Sequence, residues 1–191
     1  MSSRSGQLLD RGLDFFTSVV TRFSEDDWER PTPCADWTAR DLLGHLVTSI
    51  RVGMSVMQGR QPTWPGVARP GDLVEGDPVE FWRDIAVQAR DVLRNADLGR
   101  VMETPLGRTV ADDLAIPVID LYVHAWDLGV AVGIVVEIPP DVIEFAHAYI
   151  DPLPDDMIRG EGRAFGPQTP VPADATPTER FIAWTGRRPP Q

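Results

Sequence analysis

One stretch, Pro117 to Gly133 (PVIDLYVHAWDLGVAVG), constrains this chain more than any other. Read as a helix, it sets Asp120 and His124 four residues apart, so both side chains project from one face. Asp127 falls within about 60° of His124 on the same wheel. Ile116, Leu128 and Ala131 share that face, so it is expected to point into a core. A carboxylate and an imidazole aimed into a core need partners, because unpaired polar groups are expensive to bury. Either they satisfy each other and nearby backbone, or they hold a metal.

Three further segments carry helical periodicity. Leu8, Leu9, Leu13, Phe16, Val19, Val20 and Phe23 form a stripe that predicts a helix over 7–23. Ser24 is placed to cap a short turn through Trp28. Thr38 followed by Asp41 reads as a variant capping box opening a second helix over 38–58. Its inner face is Leu42, Leu43, Leu46, Ile50, Gly53, Met54 and Met57, with His45 at the margin beside Thr38, Ser49 and Val52. Asp77-Pro78-Val79-Glu80 starts a third helix over 77–96, with Phe81, Ile85, Val92 and Leu93 expected inward. The fourth is expected over 112–133, beginning near Asp112 or Asp113, with Pro117 either tolerated in the first turns or kinking it. Residues 61–76 hold three prolines and three glycines and read as loop; 100–111 read as a short hairpin or irregular crossover. A short helix over Pro140–Ile150 precedes a Pro- and Gly-rich tail, 151–191, in which Thr176 to Glu179 caps a closing helix through Trp184. The expected architecture is all-α: one domain over 1–191, a four-helix bundle with its core in 1–150 and the tail packed on it.

The chain of 191 residues has a formal net charge of −11, and all 18 basic residues are Arg. No basic stripe is present to neutralise phosphates, which argues against nucleic acid as a partner. A single cysteine, Cys34, excludes an internal disulfide framework and a Cys-based zinc site. The longest apolar-plus-glycine run, Leu128 to Val136, is far too short to span a membrane. The N-terminus lacks the apolar segment of a signal peptide, so the expected location is the cytoplasm, with no membrane partner.

Of three histidines, His45 and His124 join Asp120 in a set of two imidazoles and one carboxylate. Such a set suits Zn²⁺, Ni²⁺ or Fe²⁺, and three protein ligands leave the open position of catalytic sites. On spacing alone, an Asp–His pair at i, i+4 is more often simply hydrogen-bonded. Asp127 is a candidate to orient a ligand imidazole from behind, or to pair with an Arg. His147 reads as a partly buried helix residue. Cys34 reads as a small packed residue, since no neighbour in sequence is basic enough to activate it. Trp37 and Trp126 read as packing anchors, and 162–166 has too few glycines for a phosphate loop.

Four features bear on ancestry. TPCADWTARDLLGHLV (32–47) resembles the first signature of the mycothiol-dependent maleylpyruvate isomerase N-terminal domain. DLYVHAWDLGVAVG (120–133) resembles its second, an acidic residue four before His and then Trp-Asp-Leu. FGPQTPVPADATPTERFIAWTGRRP (165–189) resembles the closing segment of a single-domain actinobacterial branch, and the order of helices agrees. The resemblance implies a DinB/YfiT-like four-helix bundle binding a divalent metal, zinc first and nickel or iron next. His45, Asp120 and His124 fall on the metal-ligand positions; Asp120 stands where the isomerase often has Glu. It further implies mycothiol as thiol cofactor and a small electrophile as substrate, and leaves a homodimer open. The isomerase carries a second domain where this chain has its short tail.

The leading expectation is therefore a metal-dependent thiol S-transferase or isomerase-like enzyme. The alternatives are a metal-dependent hydrolase, and a non-catalytic bundle that binds metal or ligand and acts through association.

Overall fold

A computed structural model of the protein describes residues 3–103, 107–160 and 163–189. The described residues are helical with no strand; only isolated bridges pair Pro31 with Thr38, Val101 with Thr109, and Arg159 with Phe165. Two compact units result, 1–134 and 135–191.

The first unit is the four-helix bundle: α1 (Arg4–Val20), α2 (Ala39–Met57), α3 (Pro78–Arg94), the single turn α4 (Val110–Asp113) and α5 (Ala115–Val132). Helix α1 packs on α3 and α5, and α2 packs on the same two, so α1 and α2 sit on one diagonal. Local chemistry sets the ends. Ser3 accepts from the Gly6 N–H, which starts α1 at Arg4, three residues before the expected start at 7. Thr38 and Asp41 form the expected reciprocal box, and Asp77 caps α3. The fourth helical segment begins earlier than expected. Thr109, not Asp112 or Asp113, is the cap, with Asp112 returning the bond to the Thr109 N–H at 2.8 Å. Pro117 lacks the N–H that would continue the ladder to Asp113, and the segment breaks at Leu114.

The α1 and α2 stripes are buried as expected. Helix α3 turns differently: Trp82, Ile85, Ala86 and Ala89 are buried, whereas Phe81, Val92 and Leu93 are only half-buried. Trp82 meets Phe16 edge-on at 4.6 Å and donates to Thr17 Oγ1 at 2.8 Å, so its polar edge is satisfied in the core. Helices α1 and α5 approach closely at Gly12, where a Cβ would lie 2.8 Å from Leu121. Helix α5 is buried on nearly every side. Ile116 is the exception at 46% exposure, because it precedes the proline on the outward side of the break. The segment 110–132 is long and apolar enough to cross a membrane, but 72% of its apolar window is buried inside the protein.

The 100–111 crossover makes a single bridge, with Met102 N–H on the Arg108 carbonyl at 2.9 Å; residues 104–106 lie outside the described residues. Gly133, with φ of 72°, ends α5. The unit boundary follows directly, so α6 (Pro140–Ile150) groups with the tail rather than with the bundle. In this second unit α6 packs on α8 (Pro177–Trp184), and the single turn α7 (Asp155–Ile158) lies between them in sequence. Phe165 and Phe181 are buried and Trp184 is half-buried. The Arg159 guanidinium stacks on Trp184 at 4.7 Å and donates to its carbonyl at 2.6 Å.

Candidate metal centre

Two helices and one turn supply the centre. The Thr38–Asp41 box fixes where α2 begins and therefore which side of α2 carries His45 and, one turn later, Ser49. Asp41 is anchored further by the Gly71 N–H at 3.2 Å and the Arg69 guanidinium. Burial opposes its charged form, yet these donors and Thr38 hold its carboxyl below the ordinary value. Helix α5 supplies Asp120, His124 and Asp127.

Ligand atoms of His45, Asp120 and His124 all lie within 4.8 Å of one another. Donors about 2.0–2.2 Å from one ion stand about 3.4 Å apart in a tetrahedron, so a small inward adjustment is enough. His124 is buried, whereas His45 and Asp120 are half-buried, which leaves one side of the cluster open. The imidazoles meet edge-on, centroids 5.0 Å apart and planes at 85°. Ser49 Oγ donates to Asp120 Oδ2 at 2.6 Å, which holds the carboxylate in place. His124 Nδ1 donates to Asp127 Oδ2 at 2.8 Å, which leaves Nε2 for the cluster. Two imidazoles, one carboxylate and outer partners on two of the three are a donor set that fits Zn²⁺, Ni²⁺ or Fe²⁺.

Electrostatics reinforces the His124–Asp127 pair. Burial works against a charged imidazole, but the bond to fully buried Asp127 and the nearby Cys34 sulfur prevail, raising His124 from 6.5 to about 10. The carboxylate of Asp127 thus favours the protonated imidazole of His124.

The structure thus brings together His45, Asp120, His124 and Asp127, all named from sequence. Asp127 pairs with His124. His147 lies in the second unit, its ring 4.5 Å from Trp184 and Nδ1 3.2 Å from Asp151. Trp126 is buried packing. The reading of Cys34 and Trp37 as mere packing needs revision. Cys34 Sγ donates to Asp127 Oδ2 at 3.4 Å, and the Trp37 ring lies 4.8 Å from His45. Ser49 was legible as a neighbour of His45 one turn along α2; the Cys34–Asp127 contact spans 93 residues and left no periodic signal.

The chain is similar to several known proteins. Proteins of Mycobacterium tuberculosis described as uncharacterized, Rv0738 of strain H37Rv and MT0763 of strain CDC 1551, are 27% identical over 180 residues, covering 93% of this chain and 94% of theirs. Crystal structures of the mycothiol-dependent maleylpyruvate isomerase and of one of its histidine-to-alanine variants superpose with TM-scores of 0.57 and 0.60. Identity there is 14% and 13%, over 74% of this chain and 65% of theirs, a likeness of fold. The family described as the mycothiol maleylpyruvate isomerase N-terminal domain matches residues 9–129, the span that contains every residue of the centre. This chain belongs to the mycothiol maleylpyruvate isomerase N-terminal domain family.

Proposed function

We propose that the chain is a divalent-metal enzyme that delivers a low-molecular-weight thiol, mycothiol, to a small electrophile by S-transfer or isomerisation. The observation that supports it is the convergence of His45, Asp120 and His124 within the family's matched span. A bound divalent cation supplies the chemistry of lowering a thiol's pKa and holding its thiolate.

The chain's own residues prepare that site. Asp127 keeps His124 Nδ1 protonated and its ring fixed, so Nε2 is the donor presented. Ser49 donates to one oxygen of Asp120 and so restrains the carboxylate beside the imidazoles. Half-buried His45 and Asp120 border the open side, through which thiol and electrophile would enter. The buried helix behind the cluster lowers the local dielectric and excludes water from that side. Mycothiol as the thiol is carried by family membership and by the name of the structural relatives.

Metal analysis of the purified protein, with mycothiol titrated calorimetrically into zinc-loaded and metal-free samples, tests the reading. Thiol binding only with metal, together with turnover of a model electrophile, is the expected result. Hydrolysis of an ester panel without thiol would favour the metal-on-water alternative. A protein that takes up no divalent metal would overturn the proposal.

A further inference from the structure

We infer that the Pro31–Thr38 turn positions both imidazoles of the centre, Cys34 acting on His124 from beside it and through Asp127, and Trp37 acting on His45 directly. The inference deepens the metal reading above and takes its functional meaning from it.

The contacts form a closed circuit. Trp37 packs on His45 with planes tilted at 42° and centroids 4.8 Å apart. His45 meets His124 edge-on at 5.0 Å. His124 Nδ1 is 2.8 Å from Asp127 Oδ2, and Cys34 Sγ is 3.4 Å from that same oxygen. Cys34 and Trp37 lie three residues apart in one turn, which closes the ring.

That turn is well tied. The Trp37 N–H reaches the Cys34 carbonyl at 3.1 Å, and Thr32 N–H returns to the Trp37 carbonyl at 3.1 Å. Thr32 Oγ1 accepts the Cys34 N–H at 3.2 Å and donates to the Trp37 carbonyl at 3.0 Å. Asp36 occupies the third position with φ of 65°, which Asp tolerates better than most residues. The Ala39 N–H on the Arg30 carbonyl at 2.9 Å fastens the turn to the start of α2. The element that begins α2, and so places His45, also carries the donor that holds Asp127.

The chemistry of the shared oxygen gives Cys34 its role. An ionised carboxylate only accepts, so both His124 Nδ1 and the Cys34 thiol must donate to Asp127 Oδ2. Asp127 is fully buried, so losing the thiol donor at Oδ2 weakens the hold on the oxygen that His124 Nδ1 shares, and the His124 ring is less firmly oriented. If Cys34 were a small packed residue only, alanine would serve as well and serine would bring no benefit.

The full-length protein decides this with Cys34→Ala, Cys34→Ser and Trp37→Leu. Zinc affinity is read by competition with a chromophoric chelator, ligand geometry by Co²⁺ visible absorption, and His124 by ¹⁵N ring resonances of metal-free protein. Cys34→Ala is expected to weaken zinc about tenfold, the lower end for residues behind a metal ligand, and to shift both spectra. Cys34→Ser, which keeps a donor, is expected to stay within about threefold of wild type. Trp37→Leu should alter the Co²⁺ spectrum while leaving the His124 resonances near wild type. Wild-type affinity and spectra in Cys34→Ala, or an equal loss in the alanine and serine variants, overturns the inference. Should the alanine variant fail to fold, an unchanged Co²⁺ spectrum in Trp37→Leu overturns it instead. Absence of metal binding in wild type refutes the proposed function, and the His124 resonances of the Cys34 variants then decide the positioning role alone.

Discussion

Because His124 is held near 10 by Asp127 against the pull of burial, metal and proton must compete for it. At pH 7 the Nε2 proton has to leave about three pH units below its pKa. At about 1.4 kcal/mol per unit, that costs roughly 4 kcal/mol, or about a thousandfold in apparent affinity relative to pH 10. Zinc affinity of the wild type should therefore rise about tenfold per pH unit between pH 7 and 9, with close to one proton released from His124 per ion. Asp127→Asn keeps the shape but removes the charge and the largest contribution that opposes burial, so the imidazole's pKa falls, with Cys34 left as the weaker support. In that variant the pH slope above 7 should largely flatten and the His124 proton release should vanish. Calorimetry in buffers of different ionisation enthalpy, beside chelator competition at each pH, measures both quantities. The same linkage acts on the metal-free fold. The folded pKa lies above the 6.5 reference, so this stabilisation is fully present below pH 6.5 and lost as pH rises through about 10. A wild-type affinity that is flat from pH 7 to 9, after correction for metal hydrolysis, would refute the paired imidazolium and the reasoning built on it.

Other perturbations isolate other parts of the molecule. His45→Ala should abolish stoichiometric zinc binding with less than about 1 kcal/mol lost in urea unfolding, whereas His147→Ala, in the second unit, should leave zinc binding unchanged. Ser49→Ala removes the 2.6 Å donor to Asp120, and chelator competition should show a several-fold to roughly tenfold loss of zinc affinity. Gly44→Ala would drive a Cβ into the Pro70 carbonyl, a backbone atom that cannot rotate away; a loss of about 1–3 kcal/mol or more is expected in denaturant unfolding.

What could be read from the sequence was whatever the chain decides within a few residues. The Thr38–Asp41 and Thr176–Glu179 boxes and the Asp77-Pro78 start are local contracts between a side chain and nearby N–H groups, and each helix begins where its box stands. The same signal stands at Thr109–Asp112, where the Asp112–Asp113 pair offers a competing start three residues later. Helix faces were harder. In α3, Phe81 and Trp82 are adjacent, and one residue of rotation separates two nearly equal stripes. The partner decides, since only Trp82 finds both Phe16 to pack on and Thr17 to receive its N–H. The division at Ile134 was also invisible locally, because α6 carries an apolar face that suits α8 as well as it suits a bundle.

The centre shows the same rule at higher stakes. Asp120, His124 and Asp127 announce themselves through helical spacing, and His45 through its place at the margin of a neighbouring stripe. What spacing cannot say is why a core should accept two carboxylates and an imidazole on its most buried helix. The answer lies in groups with no periodic relation to them: Ser49 on Asp120, Cys34 on Asp127, and Trp37 against His45. The Ser49 and Cys34 contacts remove penalties that α5 would otherwise carry alone, unmatched acceptors, and Trp37 steadies the ring that α2 brings to them. The connector 31–38 therefore does for the centre what the bundle does for α5. It supplies, from a distant part of the chain, the partners without which that helix could not be both buried and polar.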